Sequence, residues 1–257
     1  MEIIDFYASG ASFFFSLLML WSGIGAGLLV VPVLIALLNT DPLVAIASGS
    51  MFAFISKMLM TFVHSQQGNV DWRLVYLFLR ICLPVTLINA AFLAYLSETK
   101  PHTSLEFYLI IGILLVGCLA LAALLSDSIK EILAKWPLSS MSGTTGVLMG
   151  LTGVGGGVLV VPALATRGGL TIKTAVATSI PIGLTLSLAV SLTLGSRGLV
   201  DYQLVISLLI GTVIAIPVGV RLFHLFSDNV INRVTCTLIG LALVGLLVKA
   251  TNLASHL

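Results

Sequence analysis

The chain has 257 residues, 58% of them hydrophobic and only 9% charged, with a formal charge of +2. Soluble domains carry about 25% charged residues, so this composition describes a polytopic membrane protein with no sizeable soluble domain. So few charges, with no basic run to track phosphates, exclude a nucleic-acid partner.

Glu2 and Asp5 precede the first apolar run with no Lys or Arg. That is the wrong flank for a cleavable signal peptide, and the first segment is expected to be retained. Apolar runs follow at about 6–38, 43–63, 74–96, 105–126, 138–166, 174–195, 203–225 and 231–250. At about 20 residues per crossing they allow about eight membrane segments.

The first run contains Ser22 to Pro32, SGIGAGLLVVP, and the fifth contains Thr152 to Pro162, TGVGGGVLVVP. The glycines, the Leu-Val-Val run and Pro32 and Pro162 recur in register. Glycine costs about 1 kcal/mol relative to alanine inside a helix and proline removes a backbone donor. An unbroken membrane helix is therefore disfavoured at both copies. The freed backbone groups must line a cavity or be buried in protein. Two such breaks, one per half, are the pattern of a transport site at a repeat interface. Close helix packing through small residues is the plainer alternative.

The duplication extends further. A shift of 130 pairs Ala47-Ser48 with Ala177-Thr178, Gly68 with Gly198, and Val70-Asp71 with Val200-Asp201. A shift of 128 later pairs Ile111-Gly112 with Ile239-Gly240. The expected fold is all-α: two homologous four-segment halves, 1–128 and 129–257, form one integrated transport domain. Each half opens with a glycine-broken re-entrant or discontinuous helix.

Charge placement bears on topology. If all eight runs cross, Lys and Arg in the loops divide five against five, and the positive-inside rule gives no orientation. If the first run of each half enters and leaves on one side, the halves are inverted. Arg73, Lys130, Lys135, Arg167, Lys173, Arg221 and Arg233 then oppose Lys100, Arg197 and Lys249. Seven against three is the asymmetry of a bacterial inner-membrane protein with both termini outside, and this arrangement is the one expected.

Within the second run, Ser50, Lys57, Thr61 and His64 fall within about 60° of one another on a helix. A charge at mid-membrane costs about 2.5–3.5 kcal/mol, so Lys57 either neutralises a permeating anion or snorkels to the nearer interface. The second half has Ser187 at the equivalent place, with Thr174, Thr178 and Thr185 as an uncharged stripe. His64 is the candidate for proton coupling, or else an interfacial residue held by water. Gln67-Gly68 and Arg197-Gly198 read as helix stops, and Asp71 and Asp201 as N-caps of the next helices. Arg197 is also a candidate for attracting anions from solution.

The broken helices favour an anion. A helix N-terminus presents unpaired N–H groups and about half a positive charge, and no Asp or Glu lies deep within an expected crossing, Glu106 standing at the very edge of its run. The expected ligands are backbone N–H groups at Gly23, Gly25, Ala26 and Gly27 and at Gly153, Gly155, Gly156 and Gly157. Hydroxyls of Ser22, Ser50, Thr152 and Thr178 join them, with Lys57 adding charge. Cys82, Cys118 and Cys236 show no ligand spacing, so neither metal nor cofactor is expected.

The paired GxGxG…VP stretches, Gly23 to Pro32 and Gly153 to Pro162, resemble the TauE/SafE sulfite exporter family, also called the toluene-sulfonate uptake permease family. The paired Gly-x-Val-Asp stretches, Gly68 to Asp71 and Gly198 to Asp201, carry the same resemblance. It covers nearly the whole chain, with Ala26 departing from the fuller glycine pattern that has Gly156. It implies a multi-pass bacterial inner-membrane secondary transporter of sulfite, organosulfonate or a related small anion. The identity of the anion, the direction and the oligomeric state are not implied. A passive anion channel is the alternative; an intramembrane enzyme lacks an HExxH motif, a membrane carboxylate pair or a Ser-His pair.

Overall fold

The computed structural model describes residues 10, 12–18, 20, 26–99, 102–126, 135–154, 156–166, 168–222 and 228–254. All regular elements among them are helices: α1 (Ala26–Leu37), α2 (Pro42–Gln66), α3 (Trp72–Thr99), α4 (His102–Leu125), α5 (Leu138–Thr152), α6 (Gly156–Thr166), α7 (Ile172–Gly195), α8 (Tyr202–Leu222) and α9 (Asp228–Ala254). Residues 12–18 are helical as well.

Six of the described helices, α2, α3, α4, α7, α8 and α9, contain stretches long and apolar enough to cross a membrane. The others are short. At 1.5 Å per residue, the 12, 15 and 11 residues of α1, α5 and α6 cover about 18, 22 and 16 Å of a hydrocarbon layer about 30 Å thick. Six of the eight apolar runs thus hold spans, the fifth is divided between α5 and α6, and the first holds α1, with residues 21–25 before it outside the described residues. Pro32 and Pro162 lie inside α1 and α6, and both helices continue through them. The fifth run is interrupted upstream of its proline, at the glycines.

Local chemistry sets the boundaries. Asp41 caps α2, its carboxylate accepting the N–H groups of Leu43 at 2.8 Å and Val44 at 3.2 Å, with Pro42 in the first turn. Thr171 caps α7 by accepting the Thr174 N–H at 3.3 Å. Past the ends of α2 and α7 the chain turns through Gly68 (φ +68°) and Gly198 (φ +71°), a conformation that penalises any Cβ. Asp71 and Asp201 then restart it, accepting the N–H of Leu74 and of Leu204, each at 3.0 Å.

The two central helices are α2 and α7, buried over most of their length. They are joined by a reciprocal pair of hydrogen bonds. The Asp71 N–H, beyond the C-terminus of α2, donates to Thr178 Oγ1 near the start of α7 at 3.0 Å. The Asp201 N–H, beyond the C-terminus of α7, donates to Ser48 Oγ near the start of α2 at 2.9 Å. Each helix therefore has its N-terminal end beside the other's C-terminal end, and the two run antiparallel.

The interrupted helix α5 lies along α3. Ser142 Oγ donates to the Phe78 carbonyl at 2.6 Å and Thr86 Oγ1 to the Gly146 carbonyl at 3.3 Å. A Cβ on Gly146 would lie 2.7 Å from the Cys82 carbonyl, and one on Gly150 2.7 Å from that of Thr86. Ser142, Gly146 and Gly150, four apart, form the small-residue face by which membrane helices approach closely. Contact positions rise together along both chains, so α5 runs parallel to α3.

Candidate site at the helix break

The interruption in the second glycine stretch is built by two residues. Gly153 takes a left-handed conformation (φ +64°) and closes α5, its N–H donating to the Met149 carbonyl at 3.0 Å. Thr152 Oγ1 donates to the Leu148 carbonyl at 2.7 Å and accepts the Val154 N–H at 3.1 Å. The Thr152 hydroxyl is therefore engaged in shaping the break. The chain re-enters helix at Gly156, where the leading N–H groups have no intrahelical acceptor.

Gly27 of the first glycine stretch lies against this break. A Cβ there would collide with the Gly153 carbonyl and approach the Val154 Cα at 3.0 Å. Gly153 in turn faces α2: its own missing Cβ would lie 3.1 Å from the Ile46 side chain and 3.3 Å from Ser50 Oγ. Ser50 Oγ is buried without a hydrogen-bond partner among the described residues. Gly27, Ser50, Thr152 and Gly153 thus meet in the interior. Ser22, Gly23, Gly25 and Gly155 lie outside the described residues. Ala26, Gly156 and Gly157 lie in the first turns of α1 and α6.

Thr178 is not part of this cluster. Its hydroxyl accepts the Asp71 N–H at the opposite end of the α2–α7 pair. Ser48 does the corresponding work in the first half, and the Ala-Ser/Ala-Thr register in the sequence was the signal for it. Thr174 and Thr185 do not present free hydroxyls either: Thr174 Oγ1 bonds Thr171 Oγ1 at 2.9 Å and Thr185 Oγ1 donates to the Pro181 carbonyl at 3.0 Å. Arg197 pairs with Glu98 in the last turn of α3. Both side chains are about half exposed, and the pairing offsets the charge that the sequence offered as an attractor of anions.

Lys57 is 6% exposed. Its ammonium group lies against Gly183, close enough that a Cβ there would strike Nζ. Gly183 is in the middle of α7, so the lysine chain runs across the helix pair and not out to the nearer interface. Ser187, the residue equivalent to Lys57, and Ser56, which the sequence gave no reason to single out, are buried and without a partner among the described residues. Thr61 Oγ1 and both ring nitrogens of His64 also lack partners among the described residues, in the last two turns of α2.

Among the described residues the interior therefore offers unsatisfied hydroxyls and one buried cation, Lys57, with no buried carboxylate to answer it. Buried polar groups are normally paired, and a charge in the bilayer core marks a functional position by default. No three His, Cys, Asp or Glu among the described residues are grouped as a metal site. A separate cavity of about 900 Å³ between Phe14 and Phe15, α1 and α9 is lined mostly by apolar side chains, including Val33 and Leu241, with Arg233 and Thr237 also on its wall.

Residues 8–246 match the family model described as Sulfite exporter TauE/SafE. Over 184 residues the chain is 32% identical to a protein of Haemophilus influenzae (strain ATCC 51907 / DSM 11121 / KW20 / Rd) described as a probable membrane transporter protein. That alignment covers 65% of this chain and 64% of the relative, less than two thirds of the relative's length. No solved structure matches. With a family model spanning all but the two ends of the sequence, the chain belongs to the TauE/SafE sulfite exporter family of membrane transporters.

Proposed function

We propose that this protein carries a small sulfur-containing anion, sulfite or an organosulfonate, across a bacterial inner membrane by alternating access. The observation that carries the reading is the meeting of Gly27 and Gly153 beside the unpartnered hydroxyl of Ser50. A helix N-terminus in the membrane interior supplies N–H groups and a positive dipole end, and glycine lets an anion approach the backbone. In this reading the anion contacts the N–H groups around Gly25 to Gly27 and Gly155 to Gly157, with Ser50 donating.

The halves 1–128 and 129–257 are read as inverted repeats, each with three crossings and one re-entrant segment. The antiparallel α2 and α7, with bonds exchanged between equivalent residues, support this, as do the six spans and the division of the fifth run into α5 and α6. Reciprocal contacts between equivalents are the mark of a two-fold relation, and such a relation lets one half rock against the other about a fixed site. The seven-against-three division of basic residues then puts the loop between α6 and α7 in the cytoplasm. With a negative cytoplasm, export of a monoanion is favoured by about 2.3 kcal/mol per 100 mV and needs no coupling ion. His64 remains the proton-coupling residue of the reading should transport run inward.

The test is flux into proteoliposomes holding the purified protein, with sulfite, thiosulfate, sulfate, sulfoacetate and taurine compared. Saturable uptake with counterflow of at least one sulfur anion is expected. Linear, non-saturating flux makes the protein a channel, and absence of flux or binding for the whole panel overturns the reading.

A further inference from the structure

The two halves are alike in sequence register and unlike in charge, and the geometry of Lys57 gives that difference a meaning. Equivalent residues of α2 and α7 differ by 130. Where the helices cross at the axis relating the halves, a residue meets its own equivalent; away from it, partners diverge. Ser48 meets Asp201, the equivalent of Asp71, and is far from the axis. Lys57 meets Gly183, the equivalent of Ala53, only four positions from itself. Its ammonium group therefore reaches α7 about one helical turn, 5.4 Å, from Ser187, the residue equivalent to Lys57 itself, and so close to where the helices cross. Gly183 lies 11 residues after the start of α7 and 12 before its end, so the same point is at mid-depth.

Around it the second half provides hydroxyls and no charge. Ser187, equivalent to Lys57, is fully buried, and its Oγ has no partner among the described residues; the same is true of Ser56 beside Lys57. Ala53, which corresponds to Gly183, is buried. The missing side chain at Gly183 is the space that the ammonium group occupies.

We infer that Lys57, seated on Gly183 beside the axis relating the halves, is the single positive charge of the transport site and serves both access states, so that the site selects a singly charged oxyanion. The inference rests on the reading of the protein as an anion carrier. A charge on the axis is displaced least when one half rocks against the other, so one lysine suffices where off-axis placement would require one in each half. A dianion would bring a second charge that no group at this depth compensates. Ser187 and Ser56 supply hydrogen bonds to the anion from the two helices, and Gly183 acts as a positioning residue.

The experiment measures methanesulfonate and sulfite flux in proteoliposomes, with sulfate as competitor, for the wild type and four variants whose folding is followed by thermal unfolding and size-exclusion profile. Lys57→Met is expected to lower flux at least tenfold while folding normally. Gly183→Ala, which puts a methyl group where the ammonium sits, is expected to raise the half-saturating concentration. Lys57→Ser loses the charge. Combining it with Ser187→Lys and Ala53→Gly moves the charge and its seat to the equivalent positions, and is expected to restore at least a third of wild-type flux. A lysine that only braces the helices would not be replaced from the other half. Wild-type flux in folded Lys57→Met, or a folded relocated variant no better than Lys57→Ser, overturns the inference. So does competition by sulfate as effective as that by methanesulfonate. If the wild type itself moves none of these anions, the anion-carrier reading falls first, and that outcome is distinguishable from the others.

Discussion

The Asp201 N–H donates to Ser48 Oγ at 2.9 Å, and 130 residues away in register the Asp71 N–H donates to Thr178 Oγ1 at 3.0 Å. Each bond ties the restart of one helix to the second turn of the opposite central helix. Removing an acceptor leaves an amide unsatisfied, which costs about 1–3 kcal/mol when it stays dry. Ser48→Ala and Thr178→Ala are each expected to lower the unfolding temperature in detergent, and Thr178→Ser is not. The two sites share no partner, so the double variant should show the sum of the single effects. Thermal unfolding of the purified variants measures all four.

Two glycines of the interrupted segments should behave oppositely. Gly27 has no room for a methyl group against the Gly153 carbonyl, and backbone cannot move aside as a flexible side chain can. Gly27→Ala is expected to reduce folded yield and abolish flux. Gly143 lies inside α5 with nothing within 4 Å of a Cβ. Gly143→Ala should leave flux unchanged and stabilise the helix by up to about 1 kcal/mol, the difference in helix propensity. Yield and flux of the pair separate a packing glycine from an incidental one.

How legible these features were depended on the kind of signal. The stop and restart around Gly68-Asp71 and Gly198-Asp201 could be read directly, because a left-handed glycine followed by a capping aspartate is local chemistry. The glycine break at Gly153 was equally readable. The site around it was not, since spacing alone put Thr178 with Ser50. Tertiary packing instead sends Thr178 to Asp71 and leaves Ser50 unpartnered. The direction of the Lys57 side chain was undecidable from one helix, because the space that receives it belongs to Gly183 on another. The proline signal misled for a related reason. In α1 and α6 the proline costs one backbone bond, and the surrounding helix tolerates it.

Inverted repeats put equivalent loops on opposite faces of the membrane. Asn39, before α2, and Gly169, before α7, are both exposed in turns. After replacement of Cys82, Cys118 and Cys236, single cysteines at 39 and 169 should be labelled by an impermeant maleimide from opposite sides of oriented vesicles. Labelling of both from one side would show parallel halves. The Asp41 cap is left intact by choosing Asn39, so α2 should be undisturbed.

Lys249, near the end of α9, donates to the Ile35 carbonyl in the last turn of α1 at 2.9 Å. The last four carbonyls of a helix have no intrahelical donor, and its C-terminus carries about half a negative charge, so a lysine from a neighbouring helix satisfies both needs. Glu106 and Asp41 lie near enough to act on the same ammonium group, and the hydrogen bond itself ties α9 to α1. No basic residue holds this position in the first half, where Leu121 follows the 128-residue shift; the clamp belongs to the first glycine stretch alone. Hydrogen bonds to charged groups contribute about 1.5–3 kcal/mol, and because Lys249 is only partly buried the lower end applies. Lys249→Met should lower the unfolding temperature by a few degrees, and Lys249→Arg by less. High salt should weaken the wild type toward the Met variant, since a partly exposed charge is screened within about 10 Å at 0.1 M salt. If flux also falls in Lys249→Met while half-saturation is unchanged, the clamp sets how firmly α1 is held during the transport cycle and not how tightly the anion binds.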